Sequence, residues 1–280
     1  MSSSIKLNLG CGRRFHPSWD NLDFTPLVEG VIVHNLTEPL PYSTGSVACC
    51  HTAHVLGHFH RELVDSFLQE QLRVLEPGGI ARFAVPDLQQ VIHEYRELIG
   101  PLCEGDHSRA ADYEWNQIEL YDQVARSFYG GKMAKFLAQD PVPNRDYVIS
   151  RVGEEGRELI DKPHDGSIVQ TKFDFSHLGY YFKKARLKFT RGVVRVLAGP
   201  EAAQAFHEGC FRRFSGEVQW KVYDQYSLTK ELTAIGFTDI RKCHHNESRI
   251  ENFKSFAFDS DEQGKERKPE SLYLEATKPE

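Results

Sequence analysis

What this chain lacks narrows its class before any motif is read. None of its six cysteines (Cys11, Cys49, Cys50, Cys103, Cys210, Cys243) belongs to a Cys-x-x-Cys pair. Cys11 falls in a Gly-rich loop and Cys49-Cys50 in an apolar strand, so the pattern implies reduced thiols and a cytoplasmic protein. No excess of positive charge is present. The net charge is −6 and the isoelectric point about 6.1, which argues against nucleic acid or an anionic membrane as a partner. The first residues, Met1-Ser-Ser-Ser4, hold no apolar core of signal-peptide length, and no stretch is apolar enough to span a bilayer. There is no internal repeat. What remains is a soluble globular class of ordinary composition. Its 280 residues suffice for one large domain, or for one domain carrying a sizeable insertion.

What is present begins at Leu7-Asn8-Leu9-Gly10-Cys11-Gly12. Apolar Ile5, Leu7 and Leu9 alternate as in a strand and end in Gly-x-Gly. Glycines at a strand's carboxyl end let the backbone turn sharply and approach a ligand with no Cβ in the way. Such ends are where open α/β sheets bind nucleotide-like ligands. The block Trp19-Asp20-Asn21-Leu22-Asp23 follows and puts an acid at the end of a second strand, placed to accept from ribose hydroxyls. The link between the two blocks, Arg13 to Asp20, is too short for an ordinary parallel crossover, and Pro17 discourages a helix in it.

Lys6 to Asp23 resembles the start of a class I S-adenosylmethionine (SAM)-dependent methyltransferase, in particular the subgroup that writes its first motif LNLGCG with Trp-x-Asn-x-Asp behind it. The resemblance implies an α/β, Rossmann-like fold: a mostly parallel seven-stranded sheet with an antiparallel last strand and a large helical insertion acting as a lid. It implies SAM as cofactor and S-adenosylhomocysteine as product. Gly10, Cys11 and Gly12 then lie under the methionine part and Asp23 at the ribose. Asn35 and Leu36 fall near the adenine, where the family writes Asp-Leu. Ala53 and His54 line the same site. The subgroup shares the short link after Gly12, which leaves less helix dipole beneath the cofactor.

Further along, Val31 to Val33 reads as a third strand and Ser46 to Cys50 as a fourth. His51 to Phe59 resembles the family's Ser-Ser-His-Val-Leu-Glu-His-Phe, with Gly57 where the glutamate is expected. Four histidines here, His51, His54, His58 and His60, raise a metal reading, but no neighbouring ligand completes a spacing, and no metal is expected. Arg61 to Leu75 has helical apolar spacing, and Glu76-Pro77-Gly78-Gly79 ends it before a fifth strand at Ile80 to Val85. Asp87 then caps a second helix.

The segment from about Gly100 to Gln219 shares little with the family beyond Tyr129-Gly130-Gly131. Its position after the fifth strand makes it a lid and substrate platform. The expected organisation is therefore residues 1–99 as the SAM-binding half, 100–219 as the lid insertion and 220–280 as the return to the sheet. Lys183, Lys184, Arg186, Lys188, Arg191 and Arg195 form a basic run, read as a solvated face, with a nucleic-acid stripe as the other reading. Resemblance returns with Tyr223-Asp224-x-Tyr226-Ser227-Leu228, and with Lys268 to Ala276 as the antiparallel last strand.

The expected activity is methyl transfer to oxygen or nitrogen of a small molecule, such as a secondary metabolite or sugar-like acceptor in natural-product biosynthesis, by a protein that could form a homodimer. A hydroxyl acceptor needs a base, and the candidates are His54, His58, His177 and Tyr129, with a histidine base titrating near pH ~6.5. Two alternatives stand beside this: a SAM-binding protein of the same fold without methyl transfer, and a nucleic-acid methyltransferase. The second lacks the Asn/Asp-Pro-Pro-Tyr motif, because His-Thr-Ala-His follows the fourth strand.

Overall fold

A computed structural model describes residues 4–25, 28–161 and 178–280, with the backbone alone for 178–184. Alternating Leu7 and Leu9 start a strand, β1 (Ile5–Leu9), and the following strands are β2 (Asp20–Asp23), β3 (Ile32–Val33), β4 (Val47–Ala53), β5 (Leu75–Pro86), β6 (Thr238–Cys243) and β7 (Ser271–Thr277). They form one sheet in the order β3-β2-β1-β4-β5-β7-β6. β7 runs antiparallel to both of its neighbours, while the pairs among β1 to β5 are parallel. This is the expected Rossmann-like methyltransferase sheet. β4 is longer than the sequence suggests and takes in His51, Thr52 and Ala53.

The two faces of the sheet are covered differently. On one face, Leu7, Leu9, Leu22, Cys50 and Phe83 meet the apolar sides of α1 (Arg61–Val74) and α7 (Gln225–Ile235). Val64, Phe67, Leu68 and Val74 carry the α1 stripe, at the 3–4 residue spacing of a helix face. Each fully buried Leu or Phe contributes roughly 1.5–3 kcal/mol. Asp224 caps α7 in a capping box with Ser227, and Gly236 closes it in the left-handed region.

The other face holds no helix from the Arg13–Asp20 link. It is covered by the segment between β6 and β7, where Ile250, Phe253, Phe256 and Phe258 pack with Trp19 and Cys49. Beneath this cover the strand register aligns Asn21, Asn8, His51, Arg82 and Glu275 side by side across five strands. All five are buried. Buried polar groups must find partners, and these find one another. Asn8 Nδ2 donates to Asn21 Oδ1 (3.0 Å) and to the Arg14 carbonyl (2.7 Å). The ring nitrogens of His51 lie 3.1 Å from Asn8 Oδ1 and 2.9 Å from Asp259 Oδ1. Arg82 Nε donates to Asp259 Oδ2 (2.7 Å), and its Nη1 to Glu275 Oε1 (3.0 Å) and the Glu247 carbonyl (2.7 Å).

After β5 the chain leaves the sheet. Asp87 caps α2 (Leu88–Cys103), accepting from Gln89 N as the sequence suggests. α2 runs past the boundary drawn at residue 99. α3 (Ala110–Ala125), α4 (Gly131–Leu137) and α5 (Arg145–Asp161) then build a core of their own from Trp115, Phe136, Leu137, Val142 and Val148. Gly130 and Gly131 have a physical reason. The Asp122 carboxylate accepts from Lys132 N (2.6 Å), and a Cβ on Gly131 would lie 2.2 Å from that carboxylate. α6 (Leu178–Phe214) completes the helices of the insertion and breaks at Gly199.

Candidate functional site

The carboxyl ends of β1 and β4 open into a cavity of about 460 Å³. Gly10, Cys11 and Gly12 form one wall, and Ala53, His54 and Ala84 another. Asn8, His51, Phe258 and Asp259 reach it from the buried polar row, and Ser271 and Tyr273 from the start of β7. Glu155, Glu158 and Leu159 close it from α5.

The glycine loop is fixed by its neighbours. The Gly10 and Cys11 amides donate to the Leu22 carbonyl at 2.8 and 3.2 Å. Gly10 sits at φ +72, and a Cβ there would lie 2.1 Å from Val55 Cγ2. Gly12 sits at φ +53 and would meet nothing within 4 Å, so its bare backbone faces open space. Asp23 stands directly behind it, with Oδ2 accepting from Gly12 N at 2.8 Å and Oδ1 from Thr25 N at 2.9 Å. Asp23, Asn35 and Leu36 are not in the cavity wall itself. Asn35 Oδ1 accepts from the Thr37 amide (3.2 Å) and hydroxyl (2.8 Å), so the Asn35 side chain caps its own turn.

Where a helix would normally follow β1, two asparagines hold the link. Asn8 binds the Arg14 carbonyl, and Asn21 Nδ2 binds the carbonyls of His16 (2.9 Å) and Trp19 (2.6 Å). These side chains satisfy backbone groups that a helix would pair internally. The asparagines of LNLGCG and of Trp-x-Asn-x-Asp thus have a structural task that the sequence reading did not assign.

The four histidines after Cys50 do not converge. His51 belongs to the polar row. His60 Nδ1 lies 3.4 Å from Glu62, and the His60 ring meets Trp220 edge-on at 4.8 Å. His58 is outside the cavity wall. His54 is in the wall, held at φ +55, with Nε2 2.8 Å from Ser271 Oγ. A non-glycine residue in that region carries backbone strain of the kind that clusters at functional sites. Burial, then the charges of Lys268 and His58, holds the His54 imidazole well below the ordinary histidine value. His58 is also lowered, chiefly by burial. A titration near pH 6.5, expected from the sequence, is therefore displaced to the acid side for both. Tyr129 is 68% exposed, packs edge-on against Phe211 and does not line the cavity. His177 lies outside the described residues.

Other groups were missed in the sequence. Burial pushes the Glu270 carboxyl up to about 7, and its Oε2 has no partner. Cys11 looks like a nucleophile in a loop, yet burial and then Asp23 push its thiol up to about 12, which leaves it unreactive at neutral pH. Gly57, standing where a glutamate was expected, has a packing reason. A Cβ there would lie 2.9 Å from the Lys221 carbonyl, and Trp220 N donates to the Gly57 carbonyl at 2.7 Å.

α5 is docked through one glycine. α5 breaks at Gly153 (φ +63), after which Glu154 N donates to the Arg267 carbonyl. Glu154 accepts from both Arg14 and Arg267, and Lys268 pairs with Glu155 at 2.7 Å. A Cβ on Gly153 would lie 2.1 Å from the Arg267 carbonyl oxygen. Gly153→Ala is expected to cost roughly 1–3 kcal/mol of local stability and to lift residues 154–161 off the cavity. A glutamate-specific protease should then cut at Glu154, Glu155 or Glu158 in the variant well before the wild type. Equal cleavage rates would remove this docking role.

No protein-family model and no curated protein matches the chain. Among solved structures, a complex of the Haloferax volcanii Trm112 methyltransferase activator with a methyltransferase is 21% identical, over 34% of this chain and 51% of that chain, with a TM-score of 0.27. The chain thus spans about half the length of that structure. A SAM-dependent methyltransferase from Archaeoglobus fulgidus is 9% identical over 97% of this chain and 85% of that one, with a TM-score of 0.38. One from Thermotoga maritima, described as a possible histamine N-methyltransferase, is 10% identical over 98% and 81%, with a TM-score of 0.36. Likeness of this degree assigns no residue and no substrate.

Proposed function

We propose that the chain is a SAM-dependent methyltransferase acting on oxygen or nitrogen of a small polar molecule of secondary-metabolite or sugar-like type. The observation that carries this reading is the junction of Gly12 and Asp23. An open glycine backbone and a carboxylate meet at 2.8 Å, at the ends of adjacent parallel strands beside the cavity. The cavity's size falls within the range of small-molecule sites. The residues suit SAM: Gly12 offers a backbone with no Cβ for close approach of the amino-acid end, and Asp23 a carboxylate for ribose hydroxyls.

When bound, SAM supplies a methyl group already electrophilic on a sulfonium. The chain's own residues have three tasks. The wall of Gly10 to Gly12 and Ala53 positions the reactants, and positioning lowers the barrier by several kcal/mol. Glu155, Glu158 and Leu159 narrow the opening and exclude water. His54, uncharged at neutral pH, takes the acceptor's proton, with the Ser271 hydroxyl as relay to Nε2. An amine acceptor would need only the first two.

Calorimetry with S-adenosylhomocysteine is the test. Asp23→Ala removes the ribose acceptor and frees Gly12 N, so affinity should fall by 1–3 kcal/mol, roughly 5- to 150-fold. Equal affinity in an intact variant would refute the assignment.

A further inference from the structure

α6 contrasts with the rest of the chain. It holds eight Lys or Arg and two Asp or Glu, in a protein of net charge −6. From Ala185 to Pro200 there is no carboxylate at all. The break at Gly199 (φ +89) separates two halves joined by Arg191 Nη2 donating to Gln204 Oε1 at 3.3 Å. On the first half, Phe189, Val193, Val196 and Leu197 fall within about 100° of the helix circumference. They are 74%, 39%, 84% and 80% exposed. Lys188 and Arg195 fall on a different arc, and no carboxylate pairs with either among the described residues.

We propose that this half of α6 binds an anionic lipid surface, with the apolar arc entering the headgroup layer and the cations meeting lipid phosphates. A strongly cationic face beside an apolar one, on a single exposed helix, is the pattern of interfacial helices. The occupant is anionic because six Lys or Arg fall between Lys183 and Arg195, with no carboxylate from Ala185 to Pro200, and it is a lipid because a polyanion alone would leave Val196 and Leu197 in water. A second copy would bring two cationic helices together, which like-charge repulsion opposes. This surface is independent of the proposed methyl transfer and needs no membrane-spanning helix, of which the described residues contain none.

The full chain should co-sediment with phosphatidylcholine vesicles containing phosphatidylglycerol and not with phosphatidylcholine alone. V196S/L197S and K188E/R195E should each weaken this binding by roughly tenfold or more. Exposed positions should leave the melting temperature unchanged, so loss of binding is not loss of fold. Full binding by V196S/L197S, with duplex DNA competing, would assign a polyanion site instead and overturn the proposal. So would the absence of vesicle binding, or a dimer that becomes monomer in the variants without any lipid effect. S-adenosylhomocysteine affinity should be untouched by either variant, which separates this test from that of the cavity.

Discussion

His54→Ala should lower the maximal rate by roughly 10²–10⁴-fold while changing S-adenosylhomocysteine affinity only a few-fold, if the acceptor is a hydroxyl. His54 lines the cavity beside Ala53, and its left-handed backbone and its contact with Ser271 fix where the ring points. The pH dependence carries the sign of its environment. A base must be unprotonated to act, and burial already holds His54 unprotonated below the ordinary histidine value. The wild-type rate should therefore be flat through pH ~6.5 and fall only in more acid solution. Stability follows the same group. Below about pH 6.5 the unfolded chain takes up protons that folded His54 and His58 refuse, so stability present above that pH is lost as pH falls. Wild-type turnover in His54→Ala would remove His54 as the base and leave positioning alone as the mechanism.

Asp259→Ala should destabilise the protein by about 3–5 kcal/mol in denaturant unfolding, because it strands two buried partners. Asp259 holds His51 through one oxygen and Arg82 through the other. Burial alone would raise its pKa, but His51 and Arg82 outweigh that and hold it below the usual carboxylate value. Its contribution is thus present at neutral pH and is lost as pH falls through that lowered value. Arg82 has further partners in Glu275, Glu247 and two more carbonyls, and stacks over Phe253 at 4.4 Å. Replacing Arg82 as well, as Asp259→Leu with Arg82→Met, should not recover the loss, since Glu275 and three carbonyls then lose their donor. A single variant as stable as wild type would show that Asp259 is not the anchor of the row.

Much of the sheet was legible in the sequence because its signals are local. Alternating Leu7 and Leu9, the α1 stripe, the Asp87 cap and the Asp224 box each act within a few residues. The wall of Gly10 to Gly12 was legible for the same reason: positive φ and close approach demand glycine. The polar row was not. Its members lie in five strands, and only the register brings Asn21, Asn8, His51, Arg82 and Glu275 together. His51 read as a loop residue because a buried histidine in a strand has no local signature. The insertion was legible by its length but not in detail. Among the described residues, its share of the cavity is three side chains of α5, placed by a kink at Gly153 that pattern alone does not locate. Tyr129 was chosen for its motif, and the motif serves the approach of Asp122 to Gly131 instead.

The cover that Ile250 to Phe258 lay over the polar row has a consequence for the order in which contacts can form. His51 and Asp259 are separated by 208 residues, and Arg82 and Asp259 by 177. Contacts so distant in sequence cannot form until the segment carrying Asp259 has been made, and closing such loops slows folding. Until then His51 and Arg82 lack their shared carboxylate partner. Their strands can gather on α1 through their apolar face, but the cavity stays incomplete. The cavity is thus complete only when the segment between β6 and β7 docks, although its glycine loop lies far earlier in the chain.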